Sequence, residues 1–285
     1  MNFFKKNISN SVIDIKRKKL ALVTGASSGI GFAFTNLLAE KGYDIIIVAR
    51  DLQKLSELED NLSQKYGSKI YPLALDLSKQ NCTEDIAQFL EKHNLSVDLL
   101  INNAGFGIHG GFHETNIQRE INLVQLQINS TLSITKLLLP NMQKNKFGFI
   151  LNVGSVYSFS PVPYQSVYGA CKSFILSFSS SIAHENKSFG IKVCCLCPGI
   201  TQTEFRARSK IQELSDKNII EKSSGMSARE VAEQGLNSLL NGELVCVPGL
   251  TNRIFVRIAT HLPSSLFSSA LTLINQVRGV NSKHS

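Results

Sequence analysis

Tyr168 and Lys172 stand four positions apart in "YGACK", inside a stretch with helical spacing. On a helix such a pair shares one face, with Cβ atoms roughly 5–6 Å apart. A phenol of pKa about 10 gives up its proton near neutrality only when something favours the phenolate, and a neighbouring ammonium does so. The pair is thus equipped to move a proton, although any exposed helix also carries polar pairs at this spacing. A second stretch bears on that choice. "TGASSGIG" at 24–31 follows a short apolar run and leads into the helical pattern "FAFTNLLAEKG". Glycine at a strand-to-helix turn permits positive φ and lets backbone approach a phosphate, while the helix N-terminus supplies unpaired N–H groups and a favourable dipole. Such a turn, after the first strand of an alternating α/β chain, indicates a dinucleotide site.

The elements that would position these residues are legible as an alternation. Apolar, β-branched runs at 20–24, 44–49, 69–75, 97–102, 147–153, 191–197 and 243–247 predict seven strands. Helical spacing at 29–42, 52–65, 116–144 and 164–187 separates them. Strands alternating with helices require right-handed crossovers and give a parallel sheet covered on both faces, and continuous apolar strands fit that burial. The expected fold is a single-domain, doubly wound Rossmann-type α/β sheet of about seven strands. Ser227 and Glu230 are spaced as a capping box ahead of "VAEQGLNSLL". The polar segment 200–225 has no clear period and reads as a loop or lid. A basic leader at 1–18, a catalytic domain at 19–250 and a C-terminal extension at 251–285 complete the expected organisation.

The 285 residues carry a net charge of +8, but Lys5, Lys6, Lys16, Arg17, Lys18 and Lys19 face only Asp14 in the first twenty. The body is therefore only mildly basic, shows no basic stripe interleaved with aromatics, and gives no reason to expect a nucleic-acid partner. The leader lacks the apolar segment of a secretory signal, and no run is long enough to span a bilayer, so a cytoplasmic protein is expected. Cys82, Cys171, Cys194, Cys195, Cys197 and Cys246 match neither a disulfide framework nor a zinc site and read as core thiols. His109 and His113, four apart, have no acidic or cysteine partner at ligand spacing. They are expected in a substrate pocket or in solvent, with no metal.

With these motifs in order, the chain resembles the short-chain dehydrogenase/reductase family, and within it the ketoacyl- and hydroxysteroid-type NADP-dependent reductases. The family's TGxxxGxG turn matches Thr24, Gly25, Gly29 and Gly31, its NNAG matches Asn102 to Gly105, and its YxxxK matches Tyr168 and Lys172. Its serine thirteen residues before the tyrosine falls on Ser155, and its proline-glycine pair on Pro198 and Gly199, with Thr201 and Thr203 behind. The resemblance implies a nicotinamide cofactor held by Gly25, Ser27, Ser28, Gly29, Ile30 and Gly31. Asp76 and Leu77 would lie against the adenine, and Asn103 with Ala104 and Gly105 on the ribose side. Pro198, Gly199, Thr201, Thr203, Tyr168 and Lys172 would complete the cofactor site. Tyr168 would be the general acid/base, Lys172 its ammonium, and Ser155 the donor that polarises the substrate carbonyl.

Two positions refine what the resemblance implies. After the second strand stand Ala49 and Arg50, where an acid would bind a ribose 2′-OH and arginine accommodates a 2′-phosphate, so NADP(H) is expected. The neighbouring Asp51 is able to pair with Arg50. The family's fourth catalytic residue is an asparagine, and without gaps its place holds Gln127. Asn129 is two positions on, about 200° around a helix. The implied activity is hydride transfer between NADP(H) and an apolar ketone or secondary alcohol. A sugar or polyol carbonyl is the alternative substrate, and a nucleotide-binding sensor with weakened catalysis is the alternative class. Arg206, Arg208 and Lys210 form a solvated face or meet a phosphate on a carrier. Residues 251–279 are either a contact helix of a homodimer or homotetramer, which the resemblance favours, or an amphipathic segment for peripheral membrane contact.

Overall fold

Alternation along each strand decides how the sheet is covered. In a computed structural model describing residues 18–203 and 225–275, the first apolar run forms β1 (Leu20–Thr24), followed by α1 (Gly29–Glu40), β2 (Asp44–Ala49) and α2 (Leu52–Tyr66). Then come β3 (Ile70–Ala74), α3 (Cys82–Lys92), β4 (Leu99–Asn102), α4 (Ile117–Val124) and α5 (Ser130–Asn145). The chain continues through β5 (Gly148–Val153), α6 (Ser166–Asn186), β6 (Ile191–Leu196), β7 (Thr201–Gln202), β8 (Met226–Ser227) and α7 (Ala228–Asn241). It ends in β9 (Val245–Cys246), α8 (Leu250–His261) and α9 (Ser264–Asn275). Seven strands make one parallel sheet in the order β3-β2-β1-β4-β5-β6-β9. The order reverses direction between β1 and β4, the switch point at which open α/β sheets bind ligands.

Side chains of successive strand residues point to opposite faces. Ala21, Val23, Ile45, Ile47 and Ile101 pack under Phe34, Leu38, Leu55 and Leu236 from α1, α2 and α7. Leu22, Ile46, Val48, Leu100 and Ile150 pack under Ile86, Ile134, Leu138 and Ile182 from α3, α5 and α6. Both faces being buried explains why the strands read as unbroken apolar runs. Cys194, Cys195 and Cys197 are wholly enclosed, as core thiols should be.

Caps fix where the helices begin. The Asp51 carboxylate accepts from Lys54 N at 3.2 Å, so it closes the N-terminus of α2. The expected capping box is present, with Ser227 Oγ accepting from Glu230 N and Glu230 Oε2 accepting from Ser227 N. The seven expected strands all form, the outermost shortened to β9. The helix expected over 116–144 is interrupted, because a π turn spans Gln125–Asn129 between α4 and α5. Within 200–225, the described ends are not irregular: β7 and β8 pair in parallel, Thr201 with Met226 and Gln202 with Ser227. Gln202 Nε2 donates to Gly225 O at 2.8 Å across the same junction. Arg206, Arg208, Lys210 and the leader up to residue 17 lie outside the described residues.

Candidate active site

The candidate residues come from the loops at the C-terminal ends of β1, β2, β3, β4 and β5, from the segment after β6, from α6 and from the π turn between α4 and α5. At the first, Gly25 and Gly29 adopt φ of +66° and +59°, conformations that side-chain-bearing residues rarely adopt. A Cβ on Gly31 would stand 2.2 Å from Gly25 O, so the turn closes only around hydrogen. Ser28 is the N-cap of α1, yet no side-chain hydrogen bond caps that helix, and its N-terminus opens over the turn through Ser27, Ser28, Gly29 and Ile30. The turn is pinned from β4. Thr24 Oγ1 accepts from Asn103 N at 2.9 Å and Ala104 N at 3.0 Å, and Asn103 Nδ2 donates to Thr24 O at 2.9 Å. Thr203 reaches the same place from beyond β6, its methyl 3.2 Å from where a Gly29 Cβ would be. A helix N-terminus above a glycine turn that admits close backbone approach fits a pyrophosphate.

Arg50 follows β2 and is exposed. Asp51 turns away to cap α2, and the nearby Asp76 is the carboxylate whose titration Arg50 affects. Burial pushes the Asp76 carboxyl up, but hydrogen bonds from Ser78 and the charges of Arg50 and Lys79 outweigh it and hold the group below its usual range. Leu77 beside it is buried.

Ser155, Tyr168 and Lys172 are brought together. Ser155, just past β5, caps a 3-10 turn (Val156–Phe159), accepting from Tyr157 N at 3.1 Å, while its own N–H donates to Ser158 Oγ. This fixes its hydroxyl against the Tyr168 phenol, with which it hydrogen-bonds. Lys172, one turn along α6, donates to Val153 O at 2.8 Å and sits 5.6 Å from the centre of the Tyr168 ring. Tyr168 is 8% exposed and Lys172 6%. Burial drives the phenol well above its usual pKa, with the Ser155 hydrogen bond opposing that shift. Burial pushes the Lys172 ammonium down to about 8. Ile108 and Leu123 pack against Tyr168, with Phe106, Tyr157 and Val167 around them, so the surroundings of the phenol are apolar.

Gln127 lies in the π turn, 2% exposed, and its Nε2 donates to Phe106 O at 2.7 Å. Its side chain also lies under Gly105. Asn129 is exposed, its Nδ2 donating to Gln125 Oε1 and its carbonyl accepting from Ser133 Oγ. Gln127 therefore holds the inward position, and its amide supports the loop after β4. Pro198 O accepts from Val156 N at 3.0 Å, and Gly199 lies so close to Asn252 that a Cβ would stand 2.2 Å from its Oδ1. Of the histidines, His113 is exposed beside Glu114, whereas His109 is half-buried and stacks near Tyr164 at 6.4 Å. Sequence reasoning missed the Val153 and Phe106 carbonyls, which carry no residue-type signal. It also passed over Ser158, whose spacing from Ser155 is that of a small capping box.

Residues 19–214 match the family model described as short chain dehydrogenase, and the chain belongs to that family. The very-long-chain 3-oxoacyl-CoA reductase of Pyrenophora tritici-repentis is 36% identical over 201 residues, which is 68% of this chain and 58% of that relative. This chain therefore spans less than two thirds of the relative's length. The mouse 17-beta-hydroxysteroid dehydrogenase type 3 is 28% identical over 255 residues, covering 88% of this chain and 78% of the relative. Among solved structures, a short-chain dehydrogenase from Sphingobium yanoikuyae in complex with NADPH is 27% identical with a TM-score of 0.75, covering 94% of this chain and 98% of that one.

Proposed function

We propose that the protein is an NADP(H)-dependent oxidoreductase that transfers hydride between the nicotinamide and an apolar, ketoacyl- or steroid-like ketone or the corresponding secondary alcohol. The observation that carries this reading is the buried assembly of Ser155, Tyr168 and Lys172 in a chain that also forms the glycine turn after β1. The glycines and the N-terminus of α1 would hold the pyrophosphate, Arg50 the 2′-phosphate, and Lys172 the nicotinamide ribose. The bound cofactor supplies a hydride for the carbonyl carbon. Ser155 orients and polarises the carbonyl, its own position fixed by the 3-10 turn it caps. Tyr168 gives its proton to the forming alkoxide. Burial keeps the phenol protonated at neutral pH, so Tyr168 has a proton to give to an alkoxide. The apolar residues around Tyr168 favour a hydrocarbon-rich substrate, as do the names of the ketoacyl and hydroxysteroid relatives.

NADPH consumption over ketones of graded chain length and polarity tests the reading. Turnover should rise with apolar length, and Tyr168→Phe should reduce it by at least ~100-fold while NADPH still binds. Near-normal turnover by the phenylalanine variant would show that the proton comes from elsewhere. NADPH binding without reduction of any ketone would favour a sensor.

A further inference from the structure

The C-terminal helices carry an apolar row that is exposed among the described residues. The inner face of α8 is accounted for, since Phe255 and Ala259 pack on Phe267 and Leu271 of α9, with the two phenylalanine rings 5.4 Å apart edge to face. The outer face presents Leu250, Ile254 and Ile258, four residues apart and so in one line. Leu262 at the end of the helix and Leu266 on α9 are exposed aliphatic side chains too, and the five are 46–72% exposed. Singly exposed leucines are ordinary, whereas a contiguous row marks a docking surface.

The charges beside the row indicate its occupant. Arg253 and Arg257 are exposed on the turns beside the row, Arg257 one turn from Ile254, while Arg253 Nε also donates to Val247 O at 3.0 Å. No aspartate or glutamate occurs anywhere from residue 244 to 285. A second copy meeting this face across a two-fold axis would set like charges against each other with no carboxylate from this segment to pair them. A bilayer with anionic headgroups meets both requirements, taking the aliphatic side chains among its acyl chains and the guanidinium groups at its phosphates. We propose that the outer face of α8, with Leu262 and Leu266, docks peripherally on an anionic phospholipid surface. Asn252 of the same helix lies against Gly199, so docking would bring the loop after β6 beside the bilayer. If the proposed function holds, an apolar ketone dissolved in lipid would then be close at hand; the docking itself does not rest on that function.

Co-sedimentation of the full chain with phosphatidylcholine vesicles, with and without phosphatidylglycerol, tests the proposal. The parent should bind the anionic vesicles, less so as salt rises, and bind the neutral ones weakly. Ile254→Glu with Ile258→Glu should lower anionic-vesicle binding at least ~10-fold. Arg253→Gln and Arg257→Gln should each lower it about fivefold. Both sets lie on the surface and should keep the parent's melting temperature. If the glutamates lower it, Ile254→Ser with Ile258→Ser should still show the loss of binding. Unchanged binding by the isoleucine variants would assign the membrane contact to the basic N-terminal segment and overturn the proposal. So would failure of the parent to bind anionic vesicles. A parent dimer in sedimentation velocity that the isoleucine variants convert to monomer would make a second copy the occupant instead.

Discussion

Lys172 is a cation enclosed by protein, and its titration should be visible in stability. Its ammonium is held down to about 8 against an ordinary 10.5, chiefly by burial. Between those values the unfolded chain binds the proton and the folded one does not, so stability contributed here rises with pH across that window. Below about pH 8 the cost of keeping Lys172 charged is present in full. In the protein without cofactor, Lys172→Met removes the titration. The unfolding free energy of the parent minus that of the variant should therefore grow by as much as about 3 kcal/mol from pH 8 to 10.5. Denaturant titrations at several pH values measure this, and a flat difference would show that burial does not penalise the ammonium. Arg50 is the contrasting case of an exposed cation with Asp51 committed elsewhere. Arg50→Ala should weaken NADPH by one to two decades, the worth of a charge-assisted contact of about 1.5–3 kcal/mol, with little effect on NADH. Equal affinities for the two nucleotides in the parent would refute the proposed NADP preference. Tyr168, Lys172 and Arg50 were legible in the sequence as candidates because residue type and spacing single them out. The partners that fix Lys172 and Gln127 were not, because Val153 O and Phe106 O are backbone groups that any residue supplies.

Among the elements, the turn from β1 to α1 depends most closely on its residues. Gly31→Ala would place a methyl 2.2 Å from Gly25 O and 2.4 Å from Asn103 Nδ2, neither of which is a free chain end. The turn must open, and NADPH affinity should fall at least ~10-fold in a fluorescence titration, since the backbone loses its close approach to the phosphates. Gly42→Ala is the control. Its φ is +79° with nothing within 4 Å, so it should cost about 1–2 kcal/mol of stability through strain alone and leave NADPH binding intact. Equal loss of binding in both variants would mean that general destabilisation, not the cradle, was being read. The strands, this turn and the capping box at Ser227 were legible because local sequence determines each of them. The π turn at Gln125–Asn129 was not, since "QLQIN" contains no glycine or proline to mark a break. Nor was the β7–β8 pair, whose two-residue strands exist through a pairing across more than twenty positions.

For the molecule as a whole, the two halves of the site must keep a fixed distance, and a buried polar chain through the sheet does this. Asn102 Nδ2 donates to Thr135 Oγ1 at 3.2 Å and to Asn152 Oδ1 at 2.9 Å, and Asn152 Nδ2 donates to Ser179 Oγ at 2.9 Å. The chain joins β4, β5, α5 and α6. Asn102 directly precedes the Asn103 that pins the glycine turn, and Asn152 precedes the Val153 whose carbonyl holds Lys172. The glycine turn and the Tyr168–Lys172 pair are thereby tied through buried groups. Asn152→Leu, which has the same branching but bulkier methyl ends, removes two of these bonds and should cost about 2–4 kcal/mol in urea unfolding. Thr135→Val should cost less, because Asn102 Nδ2 keeps its bond to Asn152. As neighbours in one network, the two changes together should depart from the sum of their separate costs by at least about 0.5 kcal/mol. Additive costs would show that the four side chains act independently and that something else holds the cradle against the catalytic helix.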